Sequence, residues 1–291
     1  MMTTRRNFLA GAAALAATSA LEGPALAQHS VPLGLQLYTV RDDLAKDFDG
    51  TLVKIKDIGI RRLQANLVQS GRTAQQQRTL YNDMGMTWES IHAGGDGLRN
   101  PQATIDQARA VGIKNITCSF PLYPEDRAKI MAGPTLDDWK RNADAFNRLG
   151  ELCQKSGMSF AYHNHNLEFR KIGEVVPYDL LLKETDPALV QMEMDIGWVV
   201  AGGADPVAYL TKYPGRYHSL HIKDLKRDGI PNTNMKMVSA IIGKGIIDWK
   251  AVLAAAHKTK LERAFLEIEE PYDPSPLEMV KQSFDFLHGK V

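Results

Sequence analysis

The chain has 291 residues, 44% of them hydrophobic and 24% charged, with 35 basic and 34 acidic side chains for a formal net charge of +1. That length is ample for one sizeable core. So even a balance of charge excludes a nucleic-acid or anionic-membrane surface as the main partner.

The N-terminus is set apart from the rest. Thr3-Thr4-Arg5-Arg6-Asn7-Phe8-Leu9 is a twin-arginine pattern, followed by an Ala/Leu-rich run from Leu9 to Leu21 and the small-residue stretch Ala25-Leu26-Ala27. The run is short and weakly hydrophobic for a membrane span of about 20 residues. Residues 1–27 are therefore read as a cleaved twin-arginine signal peptide and residues 28–291 as one mature domain. The expected location is periplasmic or secreted, without stable membrane insertion. Export of an already folded protein by this route fits a cofactor or metal loaded beforehand.

From Val31 onward short apolar strands alternate with amphipathic helices. Gly34–Val40 reads as strand one, followed by a helix over Leu44–Ile58 that Gly59 ends. Arg62–Asn66 is strand two, with a helix over Ala74–Met84. Thr87–Ala93 is strand three, and its helix, Pro101–Val111, opens on proline. Asn115–Phe120 is strand four, and Thr135 caps a long helix ending at Ser156. Ser159–His165 is strand five, with a helix near Tyr178–Glu184. Val190–Asp195 is strand six, followed by the helix Pro206–Tyr213. Tyr217–Lys223 is strand seven, and the excursion Asp228–Asp248 leads to the helix Trp249–Lys258. Arg263–Glu269 is strand eight, and Pro276–His288 closes the chain. Eight strand–helix pairs in about 260 residues predict an α/β fold, a single (β/α)8 TIM barrel. No GxGxxG follows strand one and no P-loop lysine motif occurs, so a nucleotide-binding sheet has no fingerprint. Cys118 falls near a strand end and Cys153 near the far end of the next helix. Those are opposite ends of a β/α layer, so two free thiols are expected.

Chemistry collects where such a barrel carries its site, at the C-terminal strand ends. The stretch AYHNHNLEF puts His163 and His165 on one face, because strand side chains alternate. Strand six does the same with Glu193 and Asp195, strand seven with His221 and Lys223, and strand eight with Glu267 and Glu269. Buried carboxylates need neutralisation, and a divalent cation supplies it. Mixed carboxylate and imidazole donors rank Mn²⁺, then Co²⁺ and Zn²⁺, above Mg²⁺. Ion pairing with Lys223 and a histidine cation is the other way to balance the acids. His92 and Gln64, at earlier strand ends, are candidates for substrate contact, as are Gln36 and Tyr38. Trp88, Trp198 and Phe169 can wall a sugar ring or serve as core. Asp224 points off the inner face and is expected to position a loop.

GLQLYTVRDDL, AYHNHNLEF, MDIGW, HIKDL and FLEIEEP, in this order and spacing, resemble the sugar phosphate isomerase/epimerase family of xylose isomerase-like TIM barrels. That superfamily also includes endonuclease IV and the inosose dehydratases. The resemblance implies one divalent metal held by His163, Asp195, His221 and Glu267, with His165 or Glu168 as alternatives for the strand-five ligand. It implies Glu267, Lys223 and His165 as proton-handling residues and His92, Gln64, Glu168 and Trp198 as substrate contacts. Many relatives carry glutamate where this chain has His163 and Gln64, so a two-glutamate acid/base pair is not assured. The implied chemistry is abstraction of a proton beside the carbonyl of a keto-sugar or polyol, completed as isomerisation or epimerisation first and elimination second. A non-catalytic sugar binder is the alternative of another class. An endonuclease IV-like activity is excluded by the charge balance, by export and by too few ligands for three zincs. The partner is a small carbohydrate, and the family allows a homodimer.

Overall fold

The computed structural model describes residues 31–67, 71–122 and 133–291. The signal segment read over residues 1–27 lies outside them. Strands β1 (Leu33–Gln36), β2 (Arg62–Ala65), β3 (Thr87–Ala93), β4 (Asn115–Cys118), β5 (Ser159–His163), β6 (Val190–Asp195) and β7 (Tyr217–Ile222) come first in the chain. A two-stranded ribbon follows, β8 (Asp224–Leu225) and β9 (Ser239–Ala240), then β10 (Arg263–Leu266). Strands β1–β7 and β10 form one closed barrel in which each pairs in parallel with its neighbours, β1 lying between β10 and β2. The chain is thus a single (β/α)8 barrel, as the alternating pattern predicts. No helix among the described residues is long and apolar enough to cross a membrane.

Alternation along each strand divides the side chains into two populations. Met192 and Met194 of β6, Leu220 and Ile222 of β7 and Leu266 of β10 belong to the apolar cluster shared with the helices. Glu193, Asp195, Ser219 and His221 are buried polar groups on the other face. The helices cover the apolar face. Helix Leu136–Lys155 has a reciprocal Thr135–Asp138 capping box and buries Trp139, Phe146, Leu149 and Cys153. Gly34 in β1 has no room for a side chain, since a Cβ there would lie 2.6 Å from the Phe265 ring. Both cysteines are buried and free, and burial pushes each thiol up to about 12.

Several boundaries differ from those read in the sequence. The first strand stops at Gln36 and its second half, Leu37–Val40, is a 3-10 turn, because the Gln36 side chain accepts from Tyr38 N and turns the chain. The expected helix Leu44–Ile58 is two helices, Arg41–Lys46 and Phe48–Ile58. Asp47 is extended there and caps the second by accepting from Gly50 N. Strands four, five, seven and eight each end earlier than expected, so His165, Lys223, Glu267 and Glu269 sit on the loops just past them. Short helices Gly95–Arg99 and Ile196–Ala201 have no counterpart in the prediction.

The excursion after β7 is an organised loop. Asp224 is buried, and its carboxylate accepts from Leu225 N (2.9 Å), Gly243 N (2.9 Å), Gly245 N (3.2 Å) and Trp249 Nε1 (2.8 Å). At the tip, Asn232 N donates to Ala201 O (2.8 Å), Asn166 Nδ2 to Asn232 Oδ1 (2.9 Å) and Met235 N to Asn166 Oδ1 (3.1 Å). Met235 is held at φ +61, a left-handed conformation that a side chain disfavours. Asp224→Ala removes an acceptor shared by five donors, Ile247 N (3.4 Å) included, and should cost about 3 kcal/mol, with Asp224→Asn costing less. Urea unfolding measures this, and an alanine variant as stable as wild type would show that Asp224 does not hold the loop.

Candidate metal centre and substrate cavity

The inner faces of β3, β5, β6 and β7 and the chain just past β7 and β10 converge on a buried group of imidazoles and carboxylates. Glu193 lies at its base. It accepts from Ser219 Oγ (2.7 Å) and Gln64 Nε2 (3.0 Å), and its Oε1 lies 2.9 Å from His92 Nε2 and 3.1 Å from His221 Nε2. His163 Nδ1 is 3.4 Å from the same oxygen. His221 Nδ1 is 2.9 Å from Glu267 Oε2, and the His92 and His221 rings stack with centroids 5.1 Å apart. Lys223 is fully buried, with Nζ 2.9 Å from Asp195 Oδ2, 2.8 Å from Glu267 Oε2 and 2.5 Å from Glu269 Oε1. Asp195 acts in two directions, since its Oδ1 accepts from Trp198 N (2.8 Å) and caps helix Ile196–Ala201.

The electrostatics show a shortage of positive charge. Burial works against a charged His221, yet Glu193 and Glu267 outweigh it and raise its pKa to about 10. Burial pushes Asp195 up to about 6, opposed by Lys223 and reinforced by Glu267. Burial also opposes the charges on Glu193 and Glu267. The neighbouring cations nevertheless hold both carboxyls well below the usual range, His221 first for Glu193 and Lys223 first for Glu267. Lys223 stays charged against its burial because three carboxylates surround it. His163 goes the other way: burial, aided by the His221 charge, lowers it to about 3. It is a neutral imidazole, the form that ligates metals.

Ligand atoms of His163, Asp195, His221 and Glu267 lie within 4.8 Å of one another, so these four residues fit a divalent ion. A second set, His92, His163, Glu193 and His221, shares two of them. The mixed nitrogen and oxygen donors suit transition metals.

Directly above lies a cavity of about 240 Å³ lined by His92, His163, His165, Glu267 and Glu269 together with Gln36, Tyr38, Asn66, Ser119, Phe120 and Met235. His165 stacks on Phe120 at 4.6 Å, and its Nδ1 is buried without a hydrogen-bond partner. Burial holds its pKa well below the usual value.

Other residues singled out in the sequence are placed elsewhere. Gln64 lies beneath the cluster, fully buried, donating to Ser90 Oγ and Glu193 and accepting from Gln36 Nε2 (2.9 Å). It braces the base of the site, and Asn66, two residues on, reaches the cavity instead. Glu168 is turned away from the mouth. One oxygen accepts from Tyr162 Oη on the helix-facing side of β5 and the other from His165 N (3.0 Å), and Glu168 belongs neither to the cavity lining nor to the cluster that can hold a metal. Trp88 packs edge-on against Tyr81 and Phe169 against Tyr178, both within the core. Trp198 lies over Lys223, 5.2 Å from Nζ to ring centroid, and borders a different cavity. Phe120, Ser119 and Met235 belong to the mouth and carry no motif. The lone signal for Phe120 was its place one residue past a serine at a strand end.

A parallel eight-stranded barrel with imidazoles and carboxylates gathered at its C-terminal mouth is a TIM barrel whose mouth has the donor set to hold a divalent ion. The chain belongs to the xylose isomerase-like TIM barrel family, whose sequence profile matches residues 40–289. It is 30% identical over 170 residues to an inosose dehydratase of Clostridium tetani (strain Massachusetts / E88), a match covering 54% of this chain and 56% of that one. The chain spans about half the length of the curated relatives it matches. A solved sugar phosphate isomerase/epimerase from Parabacteroides distasonis ATCC 8503 superposes with a TM-score of 0.74 at 26% identity, covering 89% of this chain and 98% of its own. The fold is also shared with the IOLI protein, solved with a zinc atom, at 14% identity and TM-score 0.67, covering 88% of this chain and 96% of that one.

Two predictions follow from this geometry. The purified protein should carry about one equivalent of a divalent metal, lost in Asp195→Ala and His221→Ala, as read by plasma mass spectrometry. Metal retained in both variants would place the ion elsewhere. The second concerns Glu168, whose carboxyl burial raises from 4.5 to about 7 against the Tyr162 and His165 hydrogen bonds. The folded state binds this proton more tightly than the unfolded chain. Its contribution to stability is therefore full below about pH 4.5 and is lost as pH rises through about 7. Glu168→Gln should flatten the melting temperature between about pH 5 and 7, and an unchanged profile would assign the slope to other groups.

Proposed function

We propose that this chain is a divalent-metal-dependent enzyme that removes a proton from the carbon beside a carbonyl of a keto-sugar or oxidised polyol. The observation that carries the reading is the convergence of His163, Asp195, His221 and Glu267 within 4.8 Å at the floor of the 240 Å³ cavity. A divalent ion bound there supplies Lewis acidity toward a sugar carbonyl and its neighbouring hydroxyl. Mn²⁺ is our first choice on the mixed nitrogen and oxygen donors, and barrels of the same fold have been solved with zinc and with magnesium.

The side chains divide the remaining work. Glu267 is ionised and reaches the cavity, so it can accept the α proton. Lys223 holds Asp195 and Glu267 in place and favours negative charge developing above them. His165 lines the cavity and is neutral, with one ring nitrogen unpartnered, so it can take up a proton and then return it to a departing or neighbouring oxygen, ending neutral again. His92 and Gln36 offer hydrogen bonds to hydroxyls.

Elimination of a β-substituent is supported by the inosose dehydratase relatives. Isomerisation or epimerisation is supported by the Parabacteroides structure, which matches over nearly its whole length. Both begin with the same proton transfer. Metal-loaded protein mixed with inosose and with 3-keto-glucose in D₂O should therefore exchange the α hydrogen, read by NMR. Loss of a substituent marks elimination and retention marks epimerisation. Glu267→Gln should slow exchange about 10²–10⁴-fold. No exchange with any ketone would remove the enzyme reading and leave a sugar-binding protein.

A further inference from the structure

Beside the cavity over the metal residues lies a second, larger one of about 510 Å³. Trp198 and Met237 give it apolar surface, and Asn232, Asn234 and Lys236 give it polar groups. Met235 and Glu269 line both cavities, so the two are adjoining compartments with Met235 between them. Met235 is 36% exposed and held in the left-handed region, the single non-glycine residue there among those described. Backbone strain of this kind persists where surrounding structure fixes it. Here Asn166 fixes it, through its hydrogen bonds to Met235 N and to Asn232. The Trp198 indole nitrogen is buried and without a partner, although the ring borders the outer compartment.

The inner compartment has the scale of one sugar ring, and the outer one is more than twice as large. An aromatic and a thioether beside two amides match the apolar ring faces and hydroxyl edges of a neutral sugar. Phosphate is a poor match. The outer lining carries Asp228, Glu269 and Glu270 against one ammonium, Lys236, and phosphate recognition calls for surplus cations.

The geometry points to an outer subsite for a second neutral sugar residue, so that the substrate is a glycoside with one ring over the metal residues and the next beyond Met235. This deepens the carbohydrate reading above and rests on it.

Calorimetric titration of the metal-loaded protein tests the subsite. D-glucose and myo-inositol serve as one-ring probes, cellobiose, maltose and trehalose as two-ring probes, and glucose 6-phosphate as the charged one. At least one disaccharide should bind about tenfold tighter than either single ring. Asn234→Trp fills the outer compartment from an exposed position and should bring that ratio to about one. Lys236→Trp should do the same from a second position. Single rings binding as well as every disaccharide, a ratio unmoved by both variants, or a preference for glucose 6-phosphate would each overturn the subsite while leaving the carbohydrate reading intact. Binding of no probe at all would overturn the subsite, and the carbohydrate reading falls with it only if inosose and 3-keto-glucose also fail to bind or exchange.

Discussion

Four carboxylates, Glu193, Asp195, Glu267 and Glu269, gather around one buried ammonium, that of Lys223, and three imidazoles. Unpaired, each charge would be expensive in so dry a place. The mouth of the barrel is therefore a set of groups that tolerate one another only as a set. Glu193 collects three imidazoles and two neutral donors; Lys223 collects three acids. The high affinity of His221 for a proton and the reluctance of Asp195 to lose one express the same demand for positive charge. A divalent cation satisfies that demand with chemistry attached.

The barrel supplies this arrangement because parallel strands deliver their C-terminal ends to one side. Alternation sends Met192, Met194, Leu220 and Ile222 to the helices, and Glu193, Asp195, Ser219 and His221 to the interior. One-residue register errors would exchange the two populations. The apolar packing of the outer layer is thus also what aims the acids. Asp195 joins the layers directly, with one oxygen on the backbone of the next helix and the other toward Lys223.

Much of this was legible in the chain itself. The doublets His163/His165, Glu193/Asp195, His221/Lys223 and Glu267/Glu269 marked strand ends by period-two spacing, and the structure brings His163 and both members of the other three into a single cluster. Asp224 was legible as a loop anchor, because it faces away from its neighbour Lys223. What spacing could not show was depth. Gln64 and Asn66 are two residues apart at the same strand end, and their different depth along the barrel decides that one braces Glu193 while the other meets the cavity. Nor could it show local turns: the Glu168 side chain looked available until the chain past β5 folded it back under His165. Strand ends were read too long because loop residues just beyond a barrel strand remain buried and apolar, as Ile268 does.

The loop over the mouth is attached almost wholly by backbone. Val238 O accepts from Lys226 N, Ala201 O from Asn232 N, and Asp224 gathers main-chain N–H groups at its far end. Asn166 and Asn232 add the few side-chain ties, one between their own side chains and the others to main-chain atoms of residues 229–236. The side chains of Asn234, Met235 and Lys236 are consequently spared from holding the loop in place, while Met237 packs on Trp198 and Leu225. A lineage could exchange them one at a time, altering what the outer compartment admits, while the barrel and its charged floor stay under separate selection. In this barrel, diet and catalysis can evolve on different clocks.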